Sequence, residues 1–141
     1  MNTKKTIQWD GCPVRFAAGI FGDKWAMLII RDLLFKGKRY YGEFTDEDEA
    51  ISTNILADRL KKLEENQIIT KKRDPDNQAK FIYSLTTKGL SLLPIMLDII
   101  DWSEKFDPNT EVPQAFIQPL RENRTAFEEE LRLQLEKDMG I

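Results

Sequence analysis

Polar and cationic side chains recur at helical spacing just after residue 52. Thr53, Asn54 and Asp58 carry hydroxyl, amide and carboxylate groups, and Lys61 and Lys62 add two ammonium groups. An asparagine can hydrogen-bond adenine through two atoms, a carboxylate can accept from cytosine, and a lysine can pair with a phosphate. This set therefore indicates recognition of a nucleic acid. An alternative for Asp58, given equal weight, is an ion pair within the helix to Lys61 or Lys62.

The apolar residues of the same stretch predict the helix that presents these groups. Leu56, Leu60 and Leu63 fall on one stripe, and Ser52 is a residue type that caps helix N-termini. The stretch is therefore predicted to bury one face and expose the other. Arg59 lies nearer the packed side, where it can brace the helix as well as contact a phosphate.

The residues that follow predict a β-hairpin. Its strands are 68–73 and 80–85, and the turn-forming residues between them include Asp74 and Asp76. The cations of this hairpin, which can reach phosphates or a minor groove, are Lys71, Lys72, Arg73 and Lys80. The two aspartates at the tip should weaken deep insertion into a minor groove. The alternative is an ordinary solvated hairpin, but the polar helix beside it favours DNA contact.

Further helices are predicted on both sides of this helix and hairpin. Gly22 separates the first two, Asp23 caps the second, and Pro94 is expected to kink the fourth. Their predicted ranges are 12–20, 24–35, 40–45, 87–106 and 120–139, with residues 107–119 read as a proline-containing linker. The predicted fold class is mainly α with a small β-hairpin, a winged helix-turn-helix. The predicted domains are an arm, 1–11, a winged-helix domain, 12–106, and an added linker and helix, 107–141.

Charge is unevenly distributed along the 141 residues. The whole chain carries a formal net charge of −3, which does not by itself indicate a nucleic-acid partner. Residues 52–88 nevertheless hold 8 Lys and Arg against 5 Asp and Glu, whereas residues 89–141 hold 5 against 11. The helix and hairpin therefore form a locally basic segment, as a compact contact with phosphates requires. Taken alone, this charge pattern favours an ordinary solvated charged surface.

Several classes of protein are disfavoured by composition. The chain has no histidine and one cysteine, and we see no nucleophile–base pair, metal cluster or phosphate-binding glycine loop. We therefore expect no enzyme activity, no cofactor and no metal. No apolar run reaches membrane-spanning length, and the polar N-terminus does not resemble a signal peptide, so we expect a cytoplasmic protein without a membrane partner. The acidic run 46–49 is read as a solvated turn rather than a Ca²⁺ loop.

Four aromatic residues at helical positions could line an effector cavity, but a plain hydrophobic core is the preferred interpretation. These residues are Phe16, Phe21, Trp25 and Trp102. The effector, if there is one, is unknown from the sequence.

An ordered set of short motifs resembles the HxlR-type winged helix-turn-helix transcriptional regulators. The segments are Cys12-Pro13-Val14, Gly22-Asp23-Lys24-Trp25, Leu28-Ile29-Ile30-Arg31-Asp32-Leu33, Asn54-Ile55-Leu56-Ala57-Asp58-Arg59-Leu60, Leu63-Glu64 and Tyr83-Ser84-Leu85-Thr86-Thr87-Lys88-Gly89. The resemblance covers roughly residues 12–106 and implies a homodimer, paired through extended N- and C-terminal helices, on a pseudo-palindromic operator in double-stranded DNA. The predicted DNA-binding residues are Ser52, Thr53, Asn54, Asp58, Arg59, Lys61, Lys62, Lys71, Arg73 and Lys80. The competing interpretation is a winged-helix module for protein–protein contact with little DNA affinity.

Cys12 is the candidate for a redox or electrophile switch. It precedes a predicted helix, whose N-terminus favours a thiolate, and Arg15 and Lys24 can add positive field. The resemblance also implies sensing, because some HxlR-type members sense oxidants through a cysteine at this place. The alternative is a small buried residue packed at a dimer seam. With no second cysteine, a switch needs Cys12 of a partner subunit or a small thiol.

Overall fold

A computed structural model describes residues 10–141, so residues 1–9 of the predicted arm lie outside it. Its helices and strands follow in the order α1 Pro13–Phe21, α2 Lys24–Phe35, a 3-10 helix Tyr41–Thr45, α3 Thr53–Glu65, β1 Ile69–Asp74, β2 Asn77–Leu85, α4 Thr87–Leu90, α5 Leu93–Phe106, α6 Gln114–Glu122 and α7 Arg124–Met139. The predicted fold class, mainly α with one antiparallel hairpin, is confirmed. Within this part of the chain, no helix has the length and apolar character to cross a membrane.

Side-chain caps set the starts of the helices that carry the site. Asp23 caps α2 through a 3.0 Å bond from the Ala26 amide, and Ser52 caps α3 through a 3.3 Å bond from the Ile55 amide. Both caps were predicted. Between α1 and α2 the turn requires glycine, because a Cβ on Gly22 would lie 2.7 Å from the Ala18 carbonyl oxygen.

One hydrophobic core combines buried residues of α2, α3 and α5 with those of other elements. Leu56 and Leu63 of α3 are buried as predicted, and Leu60 is 3% exposed. From α2, Ile30 and Leu33 are fully buried against them within one contiguous cluster. Removal of this apolar surface from water is the main force that holds α3 on the domain.

The long helix predicted over 87–106 is two helices. The short α4 ends at Leu90, and α5 starts again at Leu93 with Pro94 in its first turn. The prediction of a kinked but continuous helix was wrong at this point. Proline has no N–H with which to continue the preceding helix, but it fits a first turn, where that donor is not needed.

The linker predicted over 107–119 was also partly wrong. Residues from Gln114 onward form α6, in which Ile117 and Leu120 are buried in the core cluster and Pro119 lies inside the helix. Apolar burial on one face maintains the helix despite the proline. Asn123 then separates α6 from α7, and its Oδ1 accepts from the Ala126 amide at 3.1 Å.

The expectation of a plain aromatic core fails for two of its four residues. Phe16 on α1 is 68% exposed and Trp102 on α5 is 64% exposed, whereas Phe21 and Trp25 are half-buried. The outer faces of α1 and α5 are therefore apolar surfaces that no described residue covers.

The acidic turn before α3 has three exposed acidic residues, Asp46, Asp48 and Glu49, and ion pairs join it to α2 and to the residues just after α2. Glu47 pairs with Lys38 at 2.8 Å and Lys36 at 3.0 Å, and Glu49 pairs with Arg31 at 2.8 Å. The Lys38 hydrogen bond, followed by that of Lys36, lowers the pKa of Glu47 to about 2. A depressed folded-state pKa means that this pair stabilises the fold above the ordinary pKa of 4.5 and loses that effect as pH falls toward 2.

We therefore expect Glu47→Gln to lower the free energy of unfolding at pH 7 by about 1 kcal/mol, because the partly exposed partners limit the gain. The difference from the unmodified chain should shrink below pH 4.5 and vanish near pH 2. Urea unfolding followed by tryptophan fluorescence at several pH values measures it. Asp48→Asn, at an exposed neighbour, is the control and should change little; an equal effect of both substitutions would contradict the assignment.

Candidate nucleic-acid interface

The first turn of α3 is open to solvent. Ser52, Thr53 and Asn54 are all exposed, and the C-terminal helices do not bury them. The hydroxyl of Tyr41, in the 3-10 helix, donates to the Thr53 carbonyl at 2.9 Å. This bond fixes the start of α3 relative to the preceding helix while leaving the Thr53 and Asn54 side chains available.

Arg59 is committed largely to holding α3 on α2. Its Nε and Nη2 donate to the two carboxylate oxygens of Asp23 at 2.7 and 3.3 Å. The same Asp23 carboxylate caps α2, and hydrogen bonding from Arg59 is the largest cause of its lowered pKa. One charged group therefore joins the N-terminus of α2 to the middle of α3. The predicted bracing role is consistent with this geometry, and a phosphate contact by Arg59 stays a prediction.

Asp58 lies between two cations of its own helix. It accepts from Arg59 Nη1 at 2.6 Å and pairs with Lys62 at 3.3 Å. The Arg59 hydrogen bond, then that of Lys62, lowers its pKa, so the carboxylate stays charged. Of the two interpretations of Asp58, the intrahelical pair is present, and the partner on the lysine side is Lys62 rather than Lys61.

The cations of the hairpin lie over aromatic rings. Lys71 Nζ is 4.4 Å and Arg73 Cζ 4.9 Å from the centre of the Phe81 ring. Lys80 Nζ lies 5.3 Å from the centre of the Tyr40 ring. A ring face attracts a cation without neutralising it, so these charges are held in place and stay available to an anion.

A groove of about 980 Å³ lies between α3 and the hairpin, and several of these residues line it. Its aromatic residues include Tyr40, Phe81 and Tyr83, and Lys61 and Lys71 line it as cations. Of the predicted cations, Lys61, Lys71 and Lys80 therefore lie on one concave surface, together with the carboxylates of Glu43, Asp46 and Glu64, whereas Lys62 and Arg73 do not line it. Lys72 does not line this groove.

Asp74 does not project from the hairpin tip as predicted. It is 6% exposed, and its Oδ2 accepts from the hydroxyl of Tyr40 at 2.8 Å. Its other oxygen accepts from the Asp76 amide at 2.8 Å, and Asp76 is exposed. The expectation that both aspartates repel DNA is therefore corrected for Asp74.

Sequence reasoning missed Asp23 and Tyr40 as residues of this site. Asp23 was recognised as a cap, but its contact with Arg59 joins positions 36 apart and has no local pattern. Tyr40 and Asp74 are 34 positions apart. One general signal was available, because a partly buried tyrosine hydroxyl usually forms a hydrogen bond, and Tyr40 precedes a hairpin that contains carboxylates.

Cys12 occupies the N-cap position of α1. Its Sγ accepts from the Arg15 amide at 3.4 Å, and the residue is half-buried in a shallow depression beside exposed Phe16. Lys24, predicted to add field, lies with its Nζ 4.6 Å from the centre of the Trp25 ring. Cys12 is therefore accessible at an apolar surface.

The family model described as HxlR-like helix-turn-helix matches residues 20–111. This chain belongs to the HxlR family. The HTH-type transcriptional regulator YodB of Bacillus subtilis is 35% identical over 96 residues, covering 67% of this chain and 85% of that protein. An uncharacterised HTH-type transcriptional regulator of Synechocystis, sll1512, is 33% identical, covering 67% of this chain and 72% of that protein. The HxlR family consists of transcriptional regulators, and this chain is one of them.

Solved HxlR-type structures share the fold. Reduced YodB superposes with a TM-score of 0.57 at 31% identity, covering 72% of this chain and 100% of that one. The redox regulator HypR in its reduced form superposes with a TM-score of 0.59 at 30% identity, covering 67% of this chain and 92% of that one. Helices α6 and α7 lie beyond the residues that match the family model.

We expect Arg59→Met to destabilise the chain by about 1 kcal/mol, because it removes the bidentate pair with Asp23 while keeping an apolar stem. The amides of α3 should exchange faster with solvent, whereas those of α5 should not. Thermal unfolding and hydrogen exchange measure the two effects. Lys62→Met removes only an exposed pair within α3 and is the matched control; equal losses from the two substitutions would count against the bracing role.

Proposed function

We propose that this HxlR-family chain acts as a homodimer that binds a pseudo-palindromic operator in double-stranded DNA. The single observation that carries the proposal is the exposed polar first turn of α3 beside a groove lined by cations from α3 and the hairpin. The family assignment supports DNA as the partner, because the named relatives are HTH-type transcriptional regulators.

In this proposal α3 enters the major groove with its N-terminal end. A major groove admits one helix, and the first turns of such a helix reach the base edges. Thr53 and Asn54 then contact base edges, and Asp58 is the next residue along α3 placed to do so. Lys61 contacts phosphates, together with Ser52, whose hydroxyl can still donate while its oxygen caps the helix. Lys62 is the other phosphate ligand on this helix.

The hairpin adds contacts from a second direction. Lys71, Arg73 and Lys80 meet the backbone phosphates or the minor groove beside the helix. Their positions over Phe81 and Tyr40 support this role, because a preorganised cation loses less side-chain entropy on binding.

Pairing of two copies through α1 and α5 would cover the exposed apolar residues of those helices. Val14 and Phe16 on α1 are 71% and 68% exposed, and Trp102 and Phe106 on α5 are 64% and 68% exposed. Isolated surface apolar residues are ordinary, but four large ones on two helices are typical of an interface. A homodimer places two α3 helices on the two halves of a symmetric operator.

Cys12 is the proposed sensor. HypR, a redox regulator, has solved reduced and oxidised forms, which supports redox regulation among the relatives. In this chain, two Cys12 thiols from the two subunits would form a disulfide and pass two electrons and two protons to an oxidant such as diamide. A small thiol could take the place of the second Cys12.

The base-reading role is tested by Asn54→Ala. We expect affinity for a duplex from the chain's own upstream region to fall about ten-fold, and affinity for a scrambled duplex of equal length to stay unchanged. Fluorescence anisotropy at two salt concentrations measures both.

The control for this prediction is Lys80→Ala, which should weaken binding to both duplexes and reduce the salt slope by about 1. Equal losses from Asn54→Ala on both duplexes would refute base reading. No binding of the unmodified chain to either duplex would favour the alternative, a protein–protein interaction module.

The sensor role is tested by Cys12→Ser with diamide. We expect the oxidant to convert the unmodified chain to a covalent dimer on a non-reducing gel and to change its operator affinity, with both effects reversed by dithiothreitol. The serine variant should show neither and should bind operator as the reduced protein does. Unchanged operator binding after complete oxidation would contradict sensing through Cys12.

A further inference from the structure

The tip of the hairpin is irregular, and this irregularity determines where its charges lie. Arg73 pairs with Phe81 across the strands, but the next residue, Asp74, pairs with Asn77. Three residues, 78–80, thus have no partner in the register. Arg73 Nη1 donates to the Gln78 carbonyl at 2.6 Å. Lys80 lies at the end of this wide tip, which a two-stranded ladder alone holds weakly.

Among residues 10–141, one side-chain hydrogen bond ties this tip to the rest of the domain. The hydroxyl of Tyr40 donates to Asp74 Oδ2 at 2.8 Å, and Asp74 is 6% exposed. Tyr40 is itself fixed, because its amide donates to Glu43 Oε1 at 2.9 Å. The ring of Tyr40 also carries Lys80 over its face. One tyrosine therefore holds both an anion and a cation of the tip.

We propose that Tyr40 and Asp74 are positioning residues that aim the hairpin at DNA, so that Asp74 favours binding despite its negative charge, whereas Asp76 opposes it. This inference rests on the proposed DNA-binding function and adds an assignment of roles within the same site.

The two aspartates differ in where their charge is directed. Both carboxylate oxygens of Asp74 accept hydrogen bonds, one from Tyr40 and one from the Asp76 amide, and these two donors lower its pKa, the amide more strongly. Asp76 is exposed. A phosphate near the tip therefore meets the charge of Asp76 directly, while the charge of Asp74 is engaged by donors within the fold.

Without the anchor, the cations of the tip would have to be ordered when DNA binds. Ordering flexible side chains and loops costs affinity, and contacts that are not formed release no counterions from DNA. Loss of the anchor should therefore lower affinity and also flatten its dependence on salt. Simple loss of folded protein would lower the active fraction without changing that slope.

Two charge-matched substitutions and one isosteric substitution test the proposal. Asp74→Asn and Asp76→Asn each remove one negative charge, and Tyr40→Phe removes only the hydroxyl. We expect Tyr40→Phe and Asp74→Asn to weaken operator binding about five-fold, with a smaller salt slope. Asp76→Asn should strengthen binding about two-fold at low salt, with a slope no smaller than that of the unmodified chain, since it removes only a repulsion that salt screens.

Thermal unfolding of each variant establishes its folded fraction. The double variant Tyr40→Phe with Asp74→Asn should bind the operator no more weakly than either single variant, because both remove the same hydrogen bond. If Asp74→Asn fails to fold, Tyr40→Phe still decides. Stronger binding by Asp74→Asn, equal to that of Asp76→Asn, or unchanged binding by Tyr40→Phe would overturn the positioning role. Failure of the unmodified chain to bind DNA would instead overturn the proposed function.

Discussion

Burial of one leucine stripe fixes which face of α3 points away from the domain. Leu56, Leu60 and Leu63 are at most 3% exposed, and they pack within the same core as α2. Rotating α3 by a third of a turn would expose these side chains, at about 1.5–3 kcal/mol each. The leucine stripe therefore restricts rotation of α3 about its axis more than it restricts translation of α3 along that axis. The Asp23–Arg59 pair limits that second freedom, since a bidentate contact has a defined position along the helix.

The 3-10 helix connects the two parts of the candidate interface. Tyr41 holds the backbone at the start of α3, and its neighbour Tyr40 holds the hairpin tip. These successive tyrosines sit on a segment that Glu43 closes by accepting from the Arg39 and Tyr40 amides. A displacement of this short helix would therefore move α3 and the hairpin together. In the proposed complex, that coupling would link base reading by α3 to backbone contact by the hairpin.

Local sequence patterns were sufficient for most of the fold and insufficient for its long-range polar contacts. The Ser52 cap and the leucine stripe depend on neighbours within one or two turns, so spacing alone predicted α3. Pro94 showed the limit of that reasoning. A proline fits either a kink inside one helix or the first turn of a new helix, and local spacing does not distinguish the two; in the structure Pro94 lies in the first turn of α5. Asp74 was misplaced because its partner is 34 positions away, and charge patterns carry no information about such pairs.

The net negative charge of the whole chain is compatible with a locally basic surface, because the excess acidic residues and the basic surface lie on different elements. Residues 89–141 carry the acidic excess, and much of it is engaged there: Arg121 binds Asp101 and Glu104, while Arg124 binds Asp98 and the Pro94 carbonyl. These pairs fasten α6 and α7 to α5. At physiological salt, charges beyond about 8 Å are largely screened. In the proposed complex, a phosphate beside α3 and the hairpin therefore meets a segment in which cations outnumber acids and Asp74 is turned inward.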